Sequence, residues 1–198
     1  VSGGKTSAYI AANYPADYNV FALVRTNDKS CLYPDKKIRQ IVSDKISQEF
    51  IGTLEQDNII KIMLDLEQYI GREIIWITGE TFDDVINGEW NKGKNGSNYL
   101  PNLMVRYCTT HLKMIPIFEW WKKEINEVVE MRIGFRANET KRASKMISKL
   151  NSNGIEEMKT IIGSRGTRNK WGMVEWRVPS FPLIDDIVYK DKIENRRK

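Results

Sequence analysis

Six residues at the start of the chain, Ser2-Gly3-Gly4-Lys5-Thr6-Ser7, run directly into a helix-compatible stretch from Ala8 to Asn13, and this junction constrains the fold more than any other feature. Gly3 and Gly4 carry no Cβ, so their backbone N–H groups can approach an anion closely. The helix behind them adds its unpaired N-terminal N–H groups and the positive end of its dipole. Lys5 supplies a mobile charge, and the hydroxyls of Ser2, Thr6 and Ser7 can donate hydrogen bonds. The combination predicts a loop that holds a phosphate, with a nucleotide as its ligand. The same residues also fit a plain surface loop before a helix, and the end of the Walker A pattern G-x-x-x-x-G-K-[ST], whose first glycine would precede Val1.

A phosphate loop of this type is aimed by a buried strand, and the following segments supply strands and helices in alternation. Val20-Phe21-Ala22-Leu23-Val24 is a short apolar run that predicts a strand buried on both faces of a parallel sheet. It ends in the polar turn Arg25-Thr26-Asn27-Asp28, at the carboxyl end where ligands of open α/β sheets gather. Thr53-Leu54-Glu55-Gln56 has the form of a capping box, followed by Ile59, Met63, Leu66 and Ile70 at helical spacing and a stop at Gly71. Glu73 to Thr78 predicts the next strand. Asn87 to Pro101, rich in Asn, Gly and Lys, predicts a long loop. A helix from Thr110 through Trp121 should be bent or interrupted by Pro116. Glu127 to Phe135 and Lys170 to Val178 predict strands, and Lys141 to Leu150 a helix. The expected fold is an α/β domain with an open, mostly parallel sheet and helices on both faces, spanning residues 1–198 as a single unit.

Composition narrows the function classes. Hydrophobic residues at 41% and charged residues at 29% are ordinary for a globular chain. The net charge of +5 suits an anionic ligand without requiring nucleic acid, and Arg196-Arg197-Lys198 fit a solvated tail. No run is long and apolar enough for a membrane span, so no membrane partner is expected and a cytoplasmic location is. Cys31 and Cys108 are too few for a disulfide framework. The start at a loop that should follow a strand suggests residues upstream of Val1, and the polar end at Lys198 a further cut.

Four segments, in order, carry a resemblance. Ser2 to Ser7 resembles the PP-loop S-G-G-x-D-S of the adenine nucleotide alpha-hydrolase-like enzymes. Arg106-Tyr107-Cys108-Thr109-Thr110-His111-Leu112-Lys113 with Pro116 resembles the R-x-C-T-x-x-L-K-x-x-P element of the phosphoadenosine phosphosulfate (PAPS) reductase family. Ile133-Gly134-Phe135-Arg136-Ala137-Asn138-Glu139 with Arg142 is similar to its G-[IL]-R-x-[DE]-E-x-x-R stretch, and Phe181-Pro182-Leu183-Ile184-Asp185 to its P-[IL]-[IL]-[DE] segment.

The resemblance implies a Rossmann-like fold and an enzyme that binds an adenine nucleotide, ATP or PAPS, and acts at its phosphate or phosphosulfate group. It places Ser2, Gly3, Gly4, Lys5, Thr6 and Ser7 around the terminal phosphates or sulfate and Thr26, Asn27 and Asp28 near the ribose or adenine. Arg106, Lys113, Arg136 and Arg142 become the converging cations, with Lys5, Lys113 and Arg136 stabilising charge during catalysis. Glu139 would orient Arg136 or Arg142, hold Mg²⁺ through water, or simply favour a helix start; Asp185 has the same ambiguity. The implied second partner is a thiol donor protein or a nucleic-acid substrate.

Several residues admit more than one role. Cys108 and His111 have C-x-x-H spacing, but the chain holds only one other Cys and no other His to complete a zinc site; Cys108 reads as a structural or site-lining thiol. Trp120, Trp121, Trp171 and Trp176 could stack on bases, though core or rim packing is the commoner role of such residues. Two departures qualify the reaction. Thr6 replaces the PP-loop Asp associated with ATP-splitting members, and neither the E-C-G-L-H type cysteine of the assimilatory reductases nor paired cysteines for an iron–sulfur cluster stand in this sequence, so no cluster is expected. Two alternatives remain: an ATP-dependent adenylating enzyme of nucleic-acid sulfur modification, and a nucleotide-binding module without turnover.

Overall fold

The computed structural model describes residues 1–88, 91–92, 98–101 and 107–194, apart from the side chain of Arg165. The chain is a mixed α/β protein that forms two compact units: residues 1–4 with 15–120, and residues 5–14 with 121–198.

In the first unit, β1 (Asn19–Ala22) and β2 (Ile74–Ile77) pair in parallel, from Asn19 opposite Ile74 to Ala22 opposite Ile77. Parallel neighbours require a crossover, supplied by α2 (Lys36–Ile46) and α3 (Asn58–Ile70). The apolar runs bury Phe21, Leu23 and Ile74, and Phe21 meets Trp76 edge-on with ring centroids 4.9 Å apart. Ile60, Met63 and Leu66 form the buried stripe of α3, and Gly71 ends the helix in the left-handed region at φ 60. The capping box at Thr53 does not form. Thr53 Oγ1 instead accepts from the backbone N–H of Glu55, and the helix starts at Asn58 after Asp57, because a hydroxyl satisfied by a local turn is no longer available to a helix end. Gly52 is required by a close approach: a Cβ there would lie 1.8 Å from the Cys31 carbonyl oxygen.

Pro116 is accommodated as an interruption. Short α5 (Tyr107–Thr109) passes into a π-helical turn, Thr110–Met114, and then α6 (Ile115–Glu124), with Ile115 N–H donating back to the Thr110 carbonyl. The wide turn follows from a proline that cannot donate and crowds the turn behind it. α4 (Phe82–Asn87) begins with a complete capping box between Thr81 and Asp84. Most of the loop expected over Asn87 to Pro101 lies outside the described residues.

The second unit holds a three-stranded sheet in the order β3-β5-β4. β3 (Val129–Arg132) runs parallel to β5 (Arg168–Ser180), and β4 (Glu156–Arg165) pairs antiparallel with β5. Arg177, buried on β5, is held bidentately by Glu156, with Nη2 donating to Oε1 at 3.0 Å and Nε to Oε2 at 3.1 Å. α1 (Lys5–Asn13), α7 (Thr140–Ile147), α8 (Pro182–Asp185) and α9 (Lys190–Glu194) complete the unit. Ile10 of α1 packs with buried Leu183 and Val188, flanked by Tyr9, Tyr14 and Ile193.

Candidate functional site: a cationic recess at the start of α1

Gly4 leads directly into α1 at Lys5. Neither Gly3 nor Gly4 has a positive φ, so the loop does not use glycine's left-handed freedom. It uses their size. A Cβ on Gly3 would lie 2.6 Å from the Ile59 side chain, whereas one on Gly4 would meet only Ser2 Oγ, at 3.8 Å. Gly3 therefore answers a packing constraint, and Gly4 leaves room beside the backbone.

Sequence-distant motif residues meet at α1 within the second unit. Gly134 lies against the first turn: a Cβ there would come within 3.3 Å of Thr6 Cγ2 and 3.6 Å of Ile10 Cδ1. Leu183, from the Pro-Leu-Ile-Asp segment, packs on Ile10. Lys5, Thr6 and Arg136 line one recess of about 240 Å³ together with Lys190, Ile193 and Glu194 of α9. Among these lining residues three cations face a single carboxylate, so the recess favours an anion. Lys190 and Glu194 carry no signal in the sequence, because nothing but tertiary packing places them beside Lys5.

The carboxylate already has partners. Lys5 Nζ donates to Glu194 Oε1 at 3.1 Å, and Lys190 Nζ is 3.9 Å from the same oxygen. The hydrogen bond from Lys5 holds the Glu194 carboxyl below its ordinary pKa, with Lys190 and Arg136 adding to the effect. These side chains are largely exposed, so the pairs are weak and an incoming anion can replace Glu194.

Glu139 organises the arginines. It accepts from the Arg136 backbone N–H at 3.0 Å, from Arg136 Nε at 2.9 Å and from Arg142 Nη1. Burial pushes its pKa up, but these hydrogen bonds outweigh that and bring it down to about 2. Both oxygens accept from guanidinium groups, an arrangement that suits orienting arginine. Arg142 also lies over the Phe135 ring, 4.5 Å from its centroid, and Phe135 stacks on Phe181. Asp185 donates its backbone N–H to the Phe181 carbonyl at the end of α8.

Thr26, Asn27, Asp28 and Lys113 belong to the first unit, each with local partners, whereas Ser7 lies on α1 in the second. Thr26 is buried, and its Oγ1 donates to Asp83 Oδ2 at 2.7 Å; the Asn27 N–H donates to the same oxygen at 2.8 Å. Asp28 caps a 3-10 turn by accepting from the Ser30 N–H, and the Ser30 hydroxyl together with that N–H holds its carboxyl below the ordinary pKa. The polar strand end thereby anchors the first turn of α4. Lys113, in the π-helical turn, is ion-paired with Glu55 at 2.6 Å. Arg106 lies outside the described residues. Cys108 is half-buried against the cluster of Val24, Val85 and Leu112, and His111 Nδ1 lies 3.7 Å from Glu80. Among the described residues no group of three or more His, Cys, Asp or Glu could hold a metal ion, and no helix is long and apolar enough to cross a membrane.

No family model, curated protein or solved structure matches this chain.

Proposed function

We propose that the chain is an adenine-nucleotide-binding enzyme of the PAPS reductase type, with a Rossmann-like PP-loop fold, that acts at the phosphate or phosphosulfate group of PAPS or ATP. One observation carries the reading. Residues from three of the four resembling segments, Thr6, Gly134 with Arg136, and Leu183, converge on α1, and two of the predicted cations, Lys5 and Arg136, line the same recess. In this reading the terminal phosphate or sulfate takes the place of the Glu194 carboxylate. Lys5 and the first-turn amides of α1 bind it, and Arg136, aimed by Glu139, grips it with its terminal N–H groups. Catalysis rests on positioning and on stabilising charge that develops on the transferred group.

Thr6 favours a second reading, a nucleotide-binding module without turnover, because its methyl lies near Gly134 where the PP-loop pattern has a carboxylate. Calorimetry with ATP, adenosine 3′,5′-bisphosphate and PAPS, with and without magnesium, tests binding. Mass spectrometry of the nucleotide products separates the reactions. Adenosine 3′,5′-bisphosphate with sulfite supports reduction, AMP with pyrophosphate supports adenylation, and binding without products supports the module. Failure of all three nucleotides to bind overturns the proposal.

A further inference from the structure

The long hairpin of β4 and β5 is not explained by the recess. β3 pairs only with Arg177 to Ser180, so among the described residues the part of β5 before Arg177 has only β4 beside it. A two-stranded ribbon without a third strand or a covering helix is marginal by itself. This one has a two-residue turn, Gly166-Thr167, with Gly166 at φ 63 as a type II′ turn requires. It also has a register shift between Ile161 and Gly163, which leaves Ile162 without a partner position. A Cβ on Gly172 would lie 2.5 Å from Ile162 Cδ1, so Gly172 leaves space for the bulged side chain.

The register places particular chemistry on one face. Lys159 opposes Met173 and Ile161 opposes Trp171, so these four side chains share a face. Trp171, Met173 and Ile161 are 57%, 55% and 40% exposed. Lys159 Nζ lies 5.9 Å from the Trp171 ring centroid, and Lys122 Nζ is 3.5 Å from the Ile161 carbonyl oxygen. At the tip, Arg165 opposes Arg168, and Lys170 opposes Gly163, so Arg168 and Lys170 alternate out of step with Trp171 and lie on the other face of the ribbon. From Met158 to Val174 there are four basic residues and no acidic one, which leaves the rest of a chain of net charge +5 with only +1. Glu157 and Glu175, opposite each other at the base, mark where the cationic stretch ends.

An exposed apolar strand face ordinarily awaits a partner. An apolar protein partner would leave the cations of the ribbon unmatched. The concentration of positive charge along a ribbon that exposes an indole fits an occupant that is anionic along its backbone and planar in its side groups. We propose that the β4–β5 ribbon binds single-stranded nucleic acid, with an unpaired base stacked on Trp171, a phosphate held by Lys159 beside it, and the strand wrapping over the tip to reach Arg168 and Lys170 on the other face. A single strand is required because duplex bases do not offer their faces to a side chain. The proposal is independent of the nucleotide reading and uses no residue of the recess.

The test is fluorescence anisotropy of a labelled oligouridylate of about 16 nucleotides, a length that fills a typical single-strand site, titrated with the full chain at several salt concentrations. Saturable binding is expected, with affinity falling steeply as salt rises. Trp171→Ala should weaken binding about tenfold or more, and Arg168→Glu with Lys170→Glu should weaken it and flatten the salt dependence. Trp171→Phe keeps an aromatic face and should retain most of the affinity, which protects the result against a misfolded alanine variant. The proposal is overturned if the oligonucleotide does not bind, if these variants bind as the parent does, or if duplex RNA, polyglutamate or anionic vesicles compete as well as the single strand.

Discussion

Arg136 and Glu139 are locked together across a single turn of chain, with one carboxylate oxygen accepting both the Nε–H of the guanidinium at 2.9 Å and the Arg136 backbone N–H at 3.0 Å. Holding the Nε edge fixes the plane of the guanidinium and leaves its terminal N–H groups for the recess. Lysine has no fork to be held in this way. Arg136→Lys should therefore lower affinity for adenosine 3′,5′-bisphosphate by on the order of 1 to 3 kcal/mol, the worth of a charge-assisted hydrogen bond. Calorimetry on both proteins measures it, and an unchanged affinity removes Arg136 from the site.

The same pair makes stability depend on acid. Glu139 has its pKa held at about 2 against an ordinary 4.5, so its ionised form stabilises the folded state. That contribution is complete above the ordinary value and disappears as pH falls through the region between 4.5 and about 2. Glu139→Gln should cost on the order of 2 kcal/mol at neutral pH and close to nothing near pH 2. Urea denaturation at both pH values checks the convergence; parallel curves would refute it.

The two loop glycines should separate fold from function. Gly3→Ala drives a methyl against Ile59 and should destabilise the protein by about 1 to 3 kcal/mol, as overpacking does. Gly4→Val meets no close neighbour, so stability should hold while a β-branched side chain obstructs the phosphate. Thermal denaturation paired with nucleotide titration reads both effects. Full nucleotide affinity in Gly4→Val excludes the phosphate-loop reading.

Glu194 provides the converse experiment. It is the carboxylate lining a recess with Lys5, Arg136 and Lys190, and its neutralisation removes an internal competitor for anions. Glu194→Gln should tighten sulfate or nucleotide binding by up to about fivefold, the scale of an exposed ion pair. Ligand-induced shifts in Tm give the comparison. Weaker binding would show that Glu194 contacts the ligand favourably.

Arg177 and Glu156 test the framework of the second unit. Burial lowers the Arg177 pKa and Glu156 opposes that shift. Glu156→Ala strands a buried guanidinium and should cost about 3 to 5 kcal/mol, measured by denaturant unfolding. A loss below about 1 kcal/mol would mean that the guanidinium finds water.

Local signals were legible where chemistry is local. Met63, Leu66 and the Gly71 stop appear at α3 as the spacing predicts, although Ile60 and not Ile59 completes the buried stripe, and Glu139 takes the orienting role, one of the three its position allows, toward both Arg136 and Arg142. β4 was not legible, since Glu156 to Arg165 mixes charged and apolar residues without a continuous run, and its strand character comes from pairing with β5. The capping box at Thr53 misled because a hydroxyl can serve a turn or a helix end, and sequence does not decide which. Lys190 and Glu194 needed the tertiary fold, and so did the bracing of α4 by Thr26 and Asn27.

The wide turn at Thr110–Met114 has a consequence of phase. Each residue of an α-helix rotates the chain by about 100°, so the one additional residue held in that turn sets the heading of every side chain after it. Pro116 is aimed at Gly79, where a Cβ would come within 2.6 Å of its Cγ, and Phe118 is buried to 1% exposure. Deleting a single residue from the turn would restore α-helical spacing, with Pro116 still donating nothing, and would swing both side chains away from these seats. What resembles a defect in the helix is the angular offset that brings Pro116 and Phe118 each to its own seat.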